Sequence, residues 1–153
     1  MDSISNEQQA LLFFFILLSV GWVGTSAFLS MLSGWGHLAS RFRCVSKFDG
    51  ETFRFSGMSM RSGILSASYG NCAFITVGRP GIGISLLFLF RVFHPPLLIP
   101  WSDIEAVHRE QRWFSLLTAV YIKGFNRRIL IRGRAGRKIY EMYNEQFPSA
   151  GDV

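Results

Sequence analysis

The densest chemistry in this sequence is a basic stretch, KGFNRRILIRGRAGRK at residues 123–138. It carries Lys123, Arg127, Arg128, Arg132, Arg134, Arg137 and Lys138 without a single acid. Alternation along a strand puts Arg128 and Arg132 on one face, with Ile129 and Ile131 opposite. Arg134, Arg137 and Lys138 fall at the start of a helix, where the macrodipole disfavours cations and favours anions. Beside an anionic leaflet each such residue contributes about 1 kcal/mol, reduced by salt. The stretch reads equally as a solvated basic face that only orients the chain. As a site, it suits lipid headgroups or an acidic protein partner. Nucleic acid is disfavoured, because no reading motif or stacking platform accompanies the charge.

Signals for catalysis are sparse. His37, His94 and His108 are isolated, and Asp103 and Glu105 read as flanks of a strand start rather than a carboxylate pair. The two cysteines, Cys44 and Cys72, form neither a disulfide framework nor a metal-ligand spacing. Residues 78–83 and 133–138 are glycine-containing, yet both lack the Lys-Ser/Thr ending of a phosphate loop. The expectation is a protein with no catalytic residues, no metal and no cofactor.

The element that must position the basic residues is apolar. Residues 10–32, ALLFFFILLSVGWVGTSAFLSML, contain no charge, and at about 1.5 Å per residue they cross a hydrocarbon core of roughly 30 Å. A cleavable signal peptide fits less well, because Asp2 and Glu7 precede the run, no basic residue does, and the run is too long. Small residues, among them Gly21, Gly24, Ser26 and Ser30, gather in its second half and suit close helix packing. The composition agrees with one membrane helix and no more. It is 49% hydrophobic and 17% charged, with 16 basic residues against 10 acids and a net charge of +6. That excludes disorder and, with apolar residues otherwise dispersed, a polytopic protein.

All 16 basic residues follow the apolar run, and Arg41, Arg43 and Lys47 follow it closely. The positive-inside rule then places the N-terminus outside and the main domain in the cytoplasm, a side that suits two unpaired cysteines. The expected location is a bacterial inner (plasma) membrane. Residues 35–47 read as an amphipathic helix with Trp35, Leu38, Ala39, Phe42 and Val45 on one face. Either it lies at the membrane interface, with Trp35, Arg41, Arg43 and Lys47 as interfacial residues, or it continues the anchor and packs on the domain that follows.

From residue 48 the hydrophobic period changes to alternation. Residues 53–60 alternate and shift face at Gly57, residues 72–77 form a strand, and Gly78-Arg79-Pro80-Gly81 is its turn. Residues 82–90 read as one long strand buried on both faces; Arg91 and Pro95-Pro96 argue against a second span. Residues 119–123 and 128–132 read as a hairpin. Ile139, Met142, Tyr143 and Phe147 mark a final helix that Pro148 stops. Trp101 reads as core, the prolines after His94 as a rigid turn, and Trp113 beside Phe114 as an exposed loop. The organisation is an outer tail at 1–9, a transmembrane helix at 10–32, a juxtamembrane segment at 33–47, a β domain at 48–147 and a tail at 148–153.

Strands leading to the segment IPWSDI at residues 99–104, two further strands and a terminal helix, about six or seven strands in all, resemble bacterial PH-like or GRAM-like domains. The whole chain resembles small bacterial membrane proteins with one membrane helix and a PPLLIPW segment. The resemblance implies a mainly β fold, a partly open barrel capped by the C-terminal helix, and a binding or scaffolding role. It carries over no lipid site, because residues 62–71, SGILSASYGN, lack the basic loop that some PH domains use. The expected function is a membrane-anchored adaptor for a membrane protein partner, with anionic lipid as the alternative ligand; a homo-oligomer is compatible with either.

Overall fold

The structure, a computed structural model, describes residues 5–46, 48–112 and 115–148. Lys47, Trp113 and Phe114 lie outside the described residues.

Helix α1 spans Asn6–Ser33. Ser5 caps its start in a reciprocal box with Gln8, satisfying donors that the first turn leaves free. It is long and apolar enough to cross a membrane, with a mean hydropathy of 2.1 over its most apolar stretch. Residues 5–25 are exposed throughout, so the domain that follows buries none of them. The helix stops at Gly34, whose left-handed backbone (φ 71°) also starts helix α2, Trp35–Phe42. Glycine fits such an elbow because a side chain there is strained, and a Cβ would also stand 3.0 Å from Arg127 Nε.

Among the described residues nine strands follow: β1 Glu51–Ser56, β2 Met58–Ser62, β3 Leu65–Ser68, β4 Ala73–Gly78, β5 Gly81–Leu86, β6 Leu97–Pro100, β7 Ile104–Arg112, β8 Ser115–Ile122 and β9 Arg128–Arg132. Helix α3, Gly133–Gln146, ends the fold. The strands form two antiparallel sheets, β1-β4-β5-β6 and β3-β2-β9-β8-β7. Gly57 is the point where the chain leaves one sheet for the other, which is the physical meaning of the face shift there.

Cross-strand rows build the core. Ile75, Ile84 and Leu97 align across the first sheet, and Met60, Ile129, Val120 and Val107 across the second. All seven are buried, as the alternation requires. Helix α3 lies across both sheets through Ala135, Gly136 and Ile139. Trp101 is core as expected, and its Nε1 donates to the Gly78 carbonyl at 2.9 Å.

Three expectations are corrected. Among the described residues there are nine strands rather than six or seven, because the stretch that shifts face at Gly57 is two strands, β1 and β2, and the uncharged residues 62–71 contain β3, paired with β2. Residues 82–90 are not one buried strand. The ladder with β4 ends at the Ala73–Leu86 pair, and the chain then turns through a 3-10 segment, Phe88–Phe90, leaving Phe88 and Leu89 exposed. The juxtamembrane helix ends at Phe42 rather than continuing to residue 47, since Arg43 bridges to Leu97 and Cys44 N–H donates to the Pro96 carbonyl. Val45 is consequently exposed.

Candidate functional site

Two regions carry the polar chemistry: the corner where α1 meets the β domain, and the basic surface around β9 and the start of α3.

At the corner, α2 turns its apolar face into the domain. Trp35 and Leu38 are fully buried and Phe42 nearly so, in one cluster with β-sheet residues. Of the two sequence readings for this segment, packing on the domain describes α2. Trp35 Nε1 donates to the Pro95 carbonyl at 3.0 Å, and its ring meets Tyr69 edge-on at 5.6 Å and His94 at 5.0 Å. His94 is fully buried. Its Nδ1 lies 2.9 Å from the Phe90 carbonyl, which only accepts, so Nδ1 carries the proton and Nε2 accepts from Tyr69 Oη at 3.0 Å. Burial holds the imidazole below its usual pKa against the opposing pull of the Phe90 carbonyl. Burial likewise pushes the Tyr69 phenol up to about 12, with Ser33 and Arg127 pulling the other way. Both groups are neutral at physiological pH and are bonded to each other, with the Phe90 carbonyl holding the imidazole and Ser33 beside the phenol. The arrangement suits a structural lock.

Helix α1 is tied to the same corner. Trp22 Nε1 donates to the Leu89 carbonyl at 3.2 Å, and Ser30 Oγ to the Phe93 carbonyl at 2.9 Å. Trp22 also packs on Phe90 at 4.9 Å. Ser26, one helical turn from both Trp22 and Ser30, is buried, and its Oγ is the one buried side-chain polar atom among the described residues that has no hydrogen-bond partner. The small residues in the second half of α1 thus include two, Ser26 and Ser30, that meet the chain's own domain.

The seven basic residues do not form one cluster. Lys123 Nζ donates to the Ser102 carbonyl at 2.7 Å, and Arg127 lies against the Gly34 elbow. Arg128 pairs with Glu110 at 2.6 Å on the outer face of β9, while Ile129 and Ile131 enter the core. Lys138 is 4.0 Å from Glu51. Arg132, Arg134 and Arg137 are exposed and have no ion pair among the described residues. Arg132 and Arg134 line an open hollow of about 480 Å³ together with Arg54, Asn71 and Gly133. Arg54 was missed by sequence reasoning, because it lies some eighty positions away and only the antiparallel sheets bring it near. The start of α3 has no side-chain cap and no acid in its first turn, so its free N–H groups add to the positive potential.

Among the expected interfacial residues, Trp35 is in the core. Arg41 binds the β domain, reaching Asp103 at 3.1 Å and the Lys123 carbonyl at 2.7 Å. Arg43 is exposed beside its bridge to Leu97, and Lys47 lies outside the described residues. A second hollow, of about 560 Å³, is lined by Cys44, Phe48, Arg54, Phe74 and Arg91 among others. Cys44 and Cys72 are free and half-buried. Among the described residues, no group of three His, Cys, Asp or Glu side chains is placed to hold a metal ion.

No protein-family model and no curated protein matches the sequence.

Proposed function

We propose that this chain is a non-enzymatic, single-pass adaptor of a bacterial inner membrane, with its N-terminus outside. Its cytoplasmic domain binds or stabilises a membrane protein partner. The observation that carries this reading is the docked corner. The Gly34 elbow, the buried Trp35 and the Trp22 and Ser30 hydrogen bonds hold the domain at one orientation against the end of α1. A domain fixed in this way presents one surface to neighbours in the same membrane. Tethering raises its local concentration, so weak contacts suffice for association.

The strand arrangement supports reading the domain as PH-like. A first strand bends at Gly57 and is shared by the two sheets, a meander follows in each, and a terminal helix lies across both. A second reading, binding of anionic lipid headgroups, is favoured by one observation. The hollow of Arg54, Arg132 and Arg134 includes Asn71. The next residue, Cys72, accepts from Leu87 N–H at 3.0 Å, beside the segment that α1 contacts.

Affinity purification of the full-length protein from gently solubilised membranes, at moderate salt, tests the first reading. A stoichiometric membrane protein that survives the salt wash is the expected result. Recovery of the chain alone with anionic lipid retained would overturn it in favour of headgroup binding.

A further inference from the structure

We infer that residues 88–93 form a second membrane-embedded element, an apolar wedge that sits among the acyl chains of the leaflet adjoining the β domain. The inference rests on α1 crossing the membrane and goes beyond it.

The segment FLFRVF is positioned by the anchor itself. Trp22 reaches the Leu89 carbonyl and Ser30 the Phe93 carbonyl, so the segment runs alongside α1 between those two positions. At about 1.5 Å per residue, Trp22 lies about 16 Å and Ser30 about 5 Å from the helix end at Ser33. The uncharged run of residues 10–32 is about 34 Å long against a hydrocarbon core of roughly 30 Å. Both contact points therefore fall within the half of the span nearest the domain. A segment held at that height is at bilayer depth.

What it exposes there is apolar. Phe88 is 69% and Val92 74% exposed, with Leu89 and Phe93 also exposed. In water this would be an unexplained apolar patch; beside a membrane helix it is continuous with the lipid-facing surface of α1. The backbone is suited to such a place. Phe90, Arg91 and His94 N–H groups donate to Leu87, Phe88 and Arg91 carbonyls, and α1 side chains take the Leu89 and Phe93 carbonyls. Irregular backbone at membrane depth needs its polar groups met by protein, and these contacts meet part of that need. Arg91, the one charge, directs its Nε back to the Leu86 carbonyl, and its long stem lets the charge reach the interface.

Single-cysteine variants test the wedge in full-length protein with Cys44→Ser and Cys72→Ser, reconstituted in phosphatidylethanolamine–phosphatidylglycerol vesicles. An environment-sensitive fluorophore is placed at Phe88→Cys or Val92→Cys, whose exposed side chains can be replaced without loss of packing. Leu17→Cys serves as the mid-span reference and Glu141→Cys, on the exposed side of α3, as the aqueous one. The expected result is a blue-shifted label at 88 and 92, quenched several-fold more by spin-labelled lipid than the label at 141 and protected from aqueous iodide. A label at 88 and 92 that behaves like 141, while 17 is in lipid, overturns the wedge and leaves the anchor intact. Labels shielded from both quenchers would put a protein partner there instead and equally overturn it. A label at 17 exposed to iodide would overturn the anchor, and the wedge with it.

Discussion

The corner around Trp35 and the basic surface around β9 and α3 use polar groups in opposite ways. At the corner, Trp35, Tyr69 and His94 are buried and their polar atoms are matched to named partners within about one hydrogen-bond length. On the basic surface, Arg132, Arg134 and Arg137 stand exposed without ion pairs among the described residues. Buried polar networks fix one geometry, because any unmatched member is costly. Exposed cations fix nothing; they create a field that an anion of many shapes can use. The orientation of the domain on its anchor therefore resides at the corner, while the basic surface supplies a positive field that any anionic partner would meet.

Breaking the corner has the largest consequence. Trp35→Ala empties a fully buried ring and removes the bond to Pro95, and it is expected to destabilise the fold by about 3–5 kcal/mol, read from denaturant unfolding in detergent. Acid acts on the same place. His94 has a folded pKa below its unfolded one, so its contribution is complete above the ordinary histidine pKa and is lost as pH falls through the depressed value. Thermal midpoints measured down through that window should drop, and His94→Gln should flatten this part of the profile. At the alkaline end Tyr69, raised to about 12, contributes fully below 10 and loses its contribution as pH rises towards 12.

Ser26 sharpens the contrast from the other side. Its buried hydroxyl lacks a partner, so Ser26→Ala should be neutral or stabilise the fold by about 1 kcal/mol, measured in the same unfolding assay. The smallest effect belongs to the basic surface. The double replacement of Arg134 and Arg137 by Ala should change stability by no more than about 0.5 kcal/mol. Under the adaptor or headgroup readings it should still weaken salt-sensitive association.

The sequence revealed most where a pattern has a single structural solution. An uncharged run at residues 10–32 has few fates other than a long helix, Gly78-Arg79-Pro80-Gly81 joins β4 to β5, and Ile139, Met142 and Tyr143 mark α3. It failed where the pattern has two solutions. An amphipathic helix shows the same periodicity whether its apolar face meets lipid or a β sheet, so the burial of Trp35 was not decidable from spacing. Residues 82–90 are apolar throughout, and periodicity cannot register that the partner strand ends opposite Leu86. Strand β3 was missed although Leu65, Ala67 and Tyr69 alternate with Ser66 and Ser68, because the strand is only four residues long and its serines and flanking glycines read as a loop. Within the candidate site, the basic residues were found but their dispersal was not, since Glu110, Glu51 and Arg54 reach them only through sheet pairing and packing.

Docking at the corner requires α1 and the β domain to move as one rigid unit. Spin labels at Leu17→Cys and Glu141→Cys, in the full-length protein with Cys44→Ser and Cys72→Ser in lipid nanodiscs, measure that directly. A single narrow distance distribution, broadened by Trp35→Ala, is the predicted result. A broad distribution in the protein with Trp35 intact would mean that the domain swings freely on Gly34, contradicting the account.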